Sequence, residues 1–190
     1  VADLPHVCEC FHMPFQSGND GVLKDMRRGY TQEAYLKIID KIKAKAPDAA
    51  ITADVIVGFP GETDEAFQDT LDLMEAVKFD NLNSFAYSSR PNTEAALWEN
   101  QVPEEVKIER LRALQELAVK HGMERSRRYL GRIEEVLVED RNPKVLGQVM
   151  GRTRQGRQVF FDGEIDVLQG KLVKVEIQQA RTWSLLGKMV

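Results

Sequence analysis

Gln16, Ser17, Arg28, Asp54 and Gly58 are residue types that could hold a small polar molecule, and they recur at one kind of place in the sequence. The stretches 12–20 and 57–63 each set polar or glycine-rich residues after an apolar run and before a helical pattern, and Arg28-Gly-Tyr-Thr31 punctuates two helical patterns. In a parallel α/β protein such places are the carboxyl ends of strands, where ligands and catalytic groups collect. The Gln16 amide offers both a donor and an acceptor, as paired ribose hydroxyls require; a turn that bonds its own backbone uses Gln-Ser equally well. Arg28 is placed to grip a carboxylate bidentately, or to sit solvated near a helix C-terminus. Asp54 interrupts an apolar strand, so its carboxylate is either tied to backbone or aimed at a ligand hydroxyl. Gly58-Phe-Pro-Gly61 permits a sharp turn and close approach by a planar ligand. Glu62-Thr63 then opens a helix as an ordinary cap.

Other reactive residues read as structural. His12 has no partner at ligand spacing, which predicts a satisfied core histidine. Cys8-Glu9-Cys10 resembles half of a metal site, but no second pair follows, so no metal-ligating or catalytic residue is assigned. No nucleophile–base pair and no phosphate-binding lysine loop is present. Toward the C-terminus the candidates are cationic. Arg152, Arg154 and Arg157 surround a predicted hairpin at Gln155-Gly156, with Lys171 downstream and Phe160, Phe161 and Trp183 interleaved. Cations with aromatics on a barrel surface suit RNA backbone contact and base stacking; alternatively one Phe points inward and Trp183 plugs the barrel. Arg90, beside Tyr87, Ser88 and Ser89 at a strand end, joins this RNA-binding set.

The elements that must position these residues follow from periodicity and caps. A strand over 11–16 precedes a helix from about Asn19 to Arg28. Thr31 caps a second helix with Tyr35, Ile38, Ile39 and Ile42 on one face, ending before Pro47. Residues 50–57 form a β-branched strand covered on both faces. Thr63 caps a helix whose stripe is Phe67, Leu71, Met74 and Val77. A strand over 82–87, a loop over 88–103 and a helix from Pro103 to about His121 follow, the last with Ile108, Leu111, Leu114 and Leu117 inward. Beyond Gly131 the period falls to two. Strands over 133–138, 145–150, 158–161, 172–177 and 184–189, punctuated by glycines, predict a small barrel. The boundary falls near 122–131, giving domains 1–122 and 123–190. Three parallel strands cannot close a barrel, so the first domain reads as the second half of a larger α/β barrel.

Composition sets the outer bounds. The chain has 190 residues, 43% hydrophobic and 29% charged, with two cysteines. It has neither a bilayer-length apolar run nor a signal peptide, and no disulfide framework, which predicts a cytoplasmic protein with no membrane partner. It opens on Val1, which predicts a piece of a longer protein. Charge is divided unevenly. Residues 1–122 hold 13 basic and 21 acidic residues, a balance of −8; residues 123–190 hold 13 and 9, a balance of +4. A basic tail points to a polyanion partner.

The wording of the motifs goes further. The 12–20 block with Val22-Leu23-Lys24, the Arg28-Gly-Tyr-Thr31 block and the run Asp54-Val-Ile-Val-Gly-Phe-Pro-Gly-Glu-Thr63 resemble the MiaB-type tRNA methylthiotransferases. So do Ser84-Phe-Ala-Tyr-Ser88, Arg90-Pro91, Val102-Pro-Glu-Glu-Val106 and Gly151-Arg-Thr-Arg154. The resemblance spans essentially the whole chain. It implies an α/β fold, the C-terminal part of a partial (β/α)6 radical-SAM barrel, followed by a small all-β TRAM (OB-like) barrel.

The function so implied is methylthiolation of isopentenyl-adenosine next to the tRNA anticodon, with S-adenosylmethionine and two iron–sulfur clusters as cofactors and the anticodon stem-loop as partner. The electron donor is left open. By position, Gln16 (with Ser17) and Asp54 match ribose-contacting places, Arg28 a carboxylate-contacting place, and Val57 and Gly58 the place where adenine packs. The chain departs from the family in lacking the three-cysteine motif and the N-terminal cluster cysteines, so alone it is expected to be inactive. Cys10 stands where relatives have His, Asn19 where they have Ser, and Arg27 where they have Asn. A ribosomal-protein methylthiotransferase and a non-catalytic RNA-binding module are the alternatives.

Overall fold

The computed structural model describes Leu4 and residues 6–190 and divides the chain into two units. One comprises His12–Lys45 and Ile51–Val119; the other joins the segment ending at Phe11 and Ala46–Ala50 to Lys120–Val190.

The first unit carries most of a three-stranded sheet in the order β1 (Cys10–His12), β2 (Ala50–Val57), β3 (Asn81–Ala86), with β2 and β3 parallel and its own residues starting at His12 and Ile51. β1 ends four residues sooner than the sequence predicts. Pro14 has no N–H to give to a ladder, and Gln16 returns as a single bridge to Val55 with φ +63°. Three helices follow the strands: α1 (Asp20–Asp25), α2 (Gln32–Lys45) and α3 (Asp64–Val77). Asn19 and Thr63 cap α1 and α3 by accepting the N–H of Val22 and Ala66, and Thr31 accepts that of Ala34. α1 stops short of Arg28 because Arg27 takes a left-handed conformation, φ +57°. The Arg28 N–H then donates to the Leu23 carbonyl and that of Arg27 to Lys24, a Schellman turn.

The helices cover only one face of the sheet. Ile51, Ala53, Val55 and Val57 are buried against Tyr35, Ile39, Leu73, Met74 and Leu114, the last from α4 (Glu104–Arg127). Thr52, Asp54 and Ile56 are half-buried on the opposite face, so β2 is not covered on both sides as its composition predicts. The helix stripes also shift slightly. Ile38 and Ile108 face solvent, and on α3 the buried row is Ala66, Thr70, Leu73, Met74 and Val77, with Phe67 and Leu71 at its flank. A Cβ on Gly18 would lie 2.4 Å from the Asp69 carbonyl oxygen, so only glycine lets this loop approach α3. The 88–103 segment contains an unanticipated 3-10 turn, Glu94–Leu97.

The second unit is a closed five-stranded barrel, in the order β4 (Ile133–Arg141), β5 (Gln148–Thr153), β6 (Gln158–Asp162), β8 (Ser184–Met189), β7 (Leu172–Ala180). All pairs are antiparallel except β6 with β8. Val136, Val138, Val149, Val159, Phe161, Val175, Ile177 and Leu185 alternate inward. Tyr129, from the turn before β4, joins this interior. A short helix α5 (Ile165–Leu168), which periodicity does not reveal, adds Ile165. Trp183 does not plug the barrel: it is 43% exposed, its ring lying over Gly122. Among the described residues no helix is long and apolar enough to cross a membrane.

Candidate functional site

Three polar groups from different chain segments meet in the first unit. A cleft of about 950 Å³ is lined by Gln16, Arg28 and Asp54 together with Ile56, Phe59, Tyr87 and Trp98. Each arrives there for a local reason. The left-handed backbone at Gln16 breaks the strand alternation, a conformation costing an L-residue about 1–2 kcal/mol. Arg28 is carried past the end of α1 by the Schellman turn. Asp54 lies on the uncovered face of β2 because side chains alternate along a strand. Arg90 also lines the cleft, and an Arg27–Glu94 ion pair lies at its exposed border.

Asp54 is held on both sides. Asn83, directly opposite on β3, donates through Nδ2 to Oδ1 at 2.9 Å. His12 Nε2 stands 3.2 Å from Oδ2, and His12 Nδ1 2.9 Å from the Thr52 hydroxyl. His12 is thus no core histidine; its side chain is half exposed on the open face of the sheet. Sequence reasoning misses this because the contact joins residues 42 apart, visible only once β1 and β2 are in register.

The apolar end of the cleft is aromatic. Phe59 meets Tyr87 and Trp98 edge-on, at centroid distances of 5.1 and 5.7 Å, and Lys107 Nζ lies 5.6 Å from the centre of the Tyr87 ring. The Tyr87 hydroxyl is buried without a hydrogen-bond partner. Beneath this wall Glu62 is fully buried. Its Oε1 accepts from the Gly58 N–H at 2.8 Å and from Arg110 at 2.8 Å, and Arg110 also donates to Asp64. Burial raises the Glu62 carboxyl above its ordinary value, against the opposing pull of Gly58 and Arg110. Glu62 is therefore a buried ion-pair partner, where its sequence position reads as a cap.

The remaining predicted cofactor contacts lie behind the surface. Ser17 is buried, its Oγ accepting the Asn19 N–H. Val57 is on the helix-covered face, in the core. Gly58 has φ +72°, and a Cβ there would meet Lys107 Cγ at 2.4 Å, so the space beside it belongs to the Lys107 stem. Ile56 and Phe59 line the cleft in their place.

On the barrel the cations separate into two groups. Arg157 is buried and donates to the Thr182 carbonyl; Arg154 grips Glu9 through Nε and NH2 at 3.1 and 2.9 Å and also donates to the Val7 carbonyl. Both tie the unit together. Arg152 is half exposed, its Nε 3.1 Å from Glu139, and Lys171 faces solvent. Phe161 points into the core, while Phe160 lies half-buried on the outside of β6.

The donor set of the cleft fits S-adenosylmethionine. A guanidinium for a carboxylate, a fixed carboxylate for ribose hydroxyls, an amide and an aromatic wall stand in one cavity. It does not fit an iron–sulfur cluster: the chain has two cysteines, neither in a disulfide, and no group of three metal-ligating side chains occurs among the described residues. Residues 2–74 match the Radical SAM superfamily and residues 127–190 match the TRAM domain. Both domains are present, and the pairing suggests a radical SAM enzyme carrying an RNA-binding module. The superfamily implies S-adenosylmethionine and an iron–sulfur cluster.

Proposed function

We propose that the chain is part of a tRNA methylthiotransferase that modifies isopentenyl-adenosine beside the anticodon. It contributes one side of the S-adenosylmethionine pocket and the tRNA-binding barrel. The observation that carries this reading is the convergence of Gln16, Arg28 and Asp54 on a single cleft. Bound there, S-adenosylmethionine supplies the sulfonium carbon–sulfur bond from which radical chemistry starts. This chain's residues bind and orient. Arg28 pairs with the amino-acid carboxylate, Asp54 accepts from the ribose hydroxyls, and Gln16 adds an amide beside them. Ile56, Phe59, Tyr87 and Trp98 exclude water from the apolar side. The cysteines for the two clusters come from outside the 190 residues. Arg152 and Lys171, exposed on the barrel, contact tRNA phosphates, and Arg90 stands on the wall of the cleft.

The test is an assay of the reconstituted full-length protein, with clusters, reductant and S-adenosylmethionine present, on isopentenyl-modified tRNA and on ribosomal protein. Methylthio-adenosine in the tRNA is the expected product. A modified ribosomal protein, or no product on either substrate, rejects the reading.

A further inference from the structure

The open face of the sheet carries a hydrogen-bond chain that neither family match assigns. We infer that His12 is a positioning residue: held by Thr52, it fixes the Asp54 carboxylate so that its free lone pairs meet a ligand's vicinal ribose hydroxyls. The inference rests on the proposed S-adenosylmethionine pocket.

The direction of the chain follows from donor and acceptor counting. An ionised carboxylate only accepts, so the His12 Nε2 that stands 3.2 Å from Asp54 Oδ2 carries the proton. In a neutral ring Nδ1 is then the acceptor, and the Thr52 hydroxyl 2.9 Å away donates to it. Asn83 Nδ2 donates to Oδ1 from the other side at 2.9 Å. Adjacent strands supply these partners: His12 from β1, Thr52 and Asp54 two residues apart on β2, and Asn83 opposite Asp54 on β3. The terminal torsion of an Asp side chain is broad when nothing restrains it. Here each oxygen has one lateral partner, which fixes the carboxylate plane. Each oxygen keeps lone-pair capacity toward the cleft that Asp54 lines. His12 does not line the cleft, so it acts through Asp54.

The experiment is calorimetric titration of the full-length, cluster-loaded protein with S-adenosylhomocysteine and with the analogue lacking both ribose hydroxyls. The wild type is expected to prefer the diol by roughly tenfold or more, the scale of hydrogen bonds to a charged group. His12→Leu should weaken the diol ligand about tenfold and leave the diol-free analogue unchanged, so the preference collapses. His12→Gln, which restores a side-chain N–H, should recover most of it. Thr52→Val, which leaves His12 in place, should lower the preference by a smaller factor and serves if His12→Leu does not fold. Equal weakening of both ligands by the variants would make His12 merely structural, and an unchanged preference would remove it from the site; either overturns the inference. Absence of wild-type binding would instead reject the pocket itself, and wild-type binding with no diol preference would reject the Asp54 contact.

Discussion

Glu62 and Arg110 show how tightly the ground beneath the cleft is constrained. The carboxylate has no exposed surface and the guanidinium almost none, and Glu62 Oε2 and Arg110 Nε are left without hydrogen-bond partners. Removing one member of a buried pair strands the other, at a cost of about 3–5 kcal/mol. Arg110→Met is therefore expected to lower the urea-unfolding free energy by that order. The Glu62 carboxyl is raised above its ordinary 4.5 by burial. Its favourable contribution is full below pH 4.5 and is lost as pH rises through the higher folded value. The stability of the wild type relative to Glu62→Gln should accordingly fall as pH is raised from about 4 to about 7, and a flat difference would contradict the assignment. Nothing in the sequence separates this Glu from a helix-capping one, because its partner lies 48 residues away on α4.

At the scale of elements, local chemistry is readable from the residues and its tertiary context is not. The limits of β2 and the start of α3 follow from a β-branched run and a Thr cap, and the structure places both where the residues say. The barrel's period-two alternation and glycine corners are readable too, but the strand expected over 145–150 lies three residues later, at Gln148–Thr153, because Val145 and Leu146 are spent in the exposed turn before it. β1 is shorter than its pattern because a single Pro and one left-handed residue end a ladder that side-chain alternation alone would continue. Ile38 faces solvent beside the buried Ile39, and periodicity does not say which of two neighbours faces the core.

Arg154 belongs to the same scale, because its side chain ties the β5–β6 hairpin to the segment around Glu9. The Arg154 guanidinium holds the Glu9 carboxyl below its ordinary 4.5. That contribution is present above pH 4.5 and is lost as pH falls through the lower folded value. Arg154→Ala should therefore destabilise the protein at neutral pH, and by less as the pH drops below 4.5; the difference in thermal midpoint against pH checks it. A constant difference would mean that the clasp is not ionic.

For the molecule as a whole, the charge balance of −8 over residues 1–122 and +4 over residues 123–190 gives a polyanion one segment to favour. Four of the five predicted RNA-binding cations lie in the second segment, but the structure commits Arg154 and Arg157 to internal bonds. Arg152→Ala and Lys171→Ala should each weaken tRNA binding across sequences and reduce the salt slope by about 1 for every phosphate that is no longer neutralised. Arg157→Ala should show itself first as reduced stability. An unchanged slope in the Arg152 and Lys171 variants would move the RNA to another surface. The central claim remains the cleft, where Gln16, Arg28 and Asp54 converge as their sequence positions imply, while His12, Asn83 and Tyr87 become visible only in three dimensions. The measurement that bears on it most directly is a structure of the cluster-loaded full-length protein with S-adenosylhomocysteine. The account predicts the ligand carboxylate on Arg28 and its ribose hydroxyls on Asp54; a ligand bound elsewhere, with both side chains turned to solvent, would contradict it.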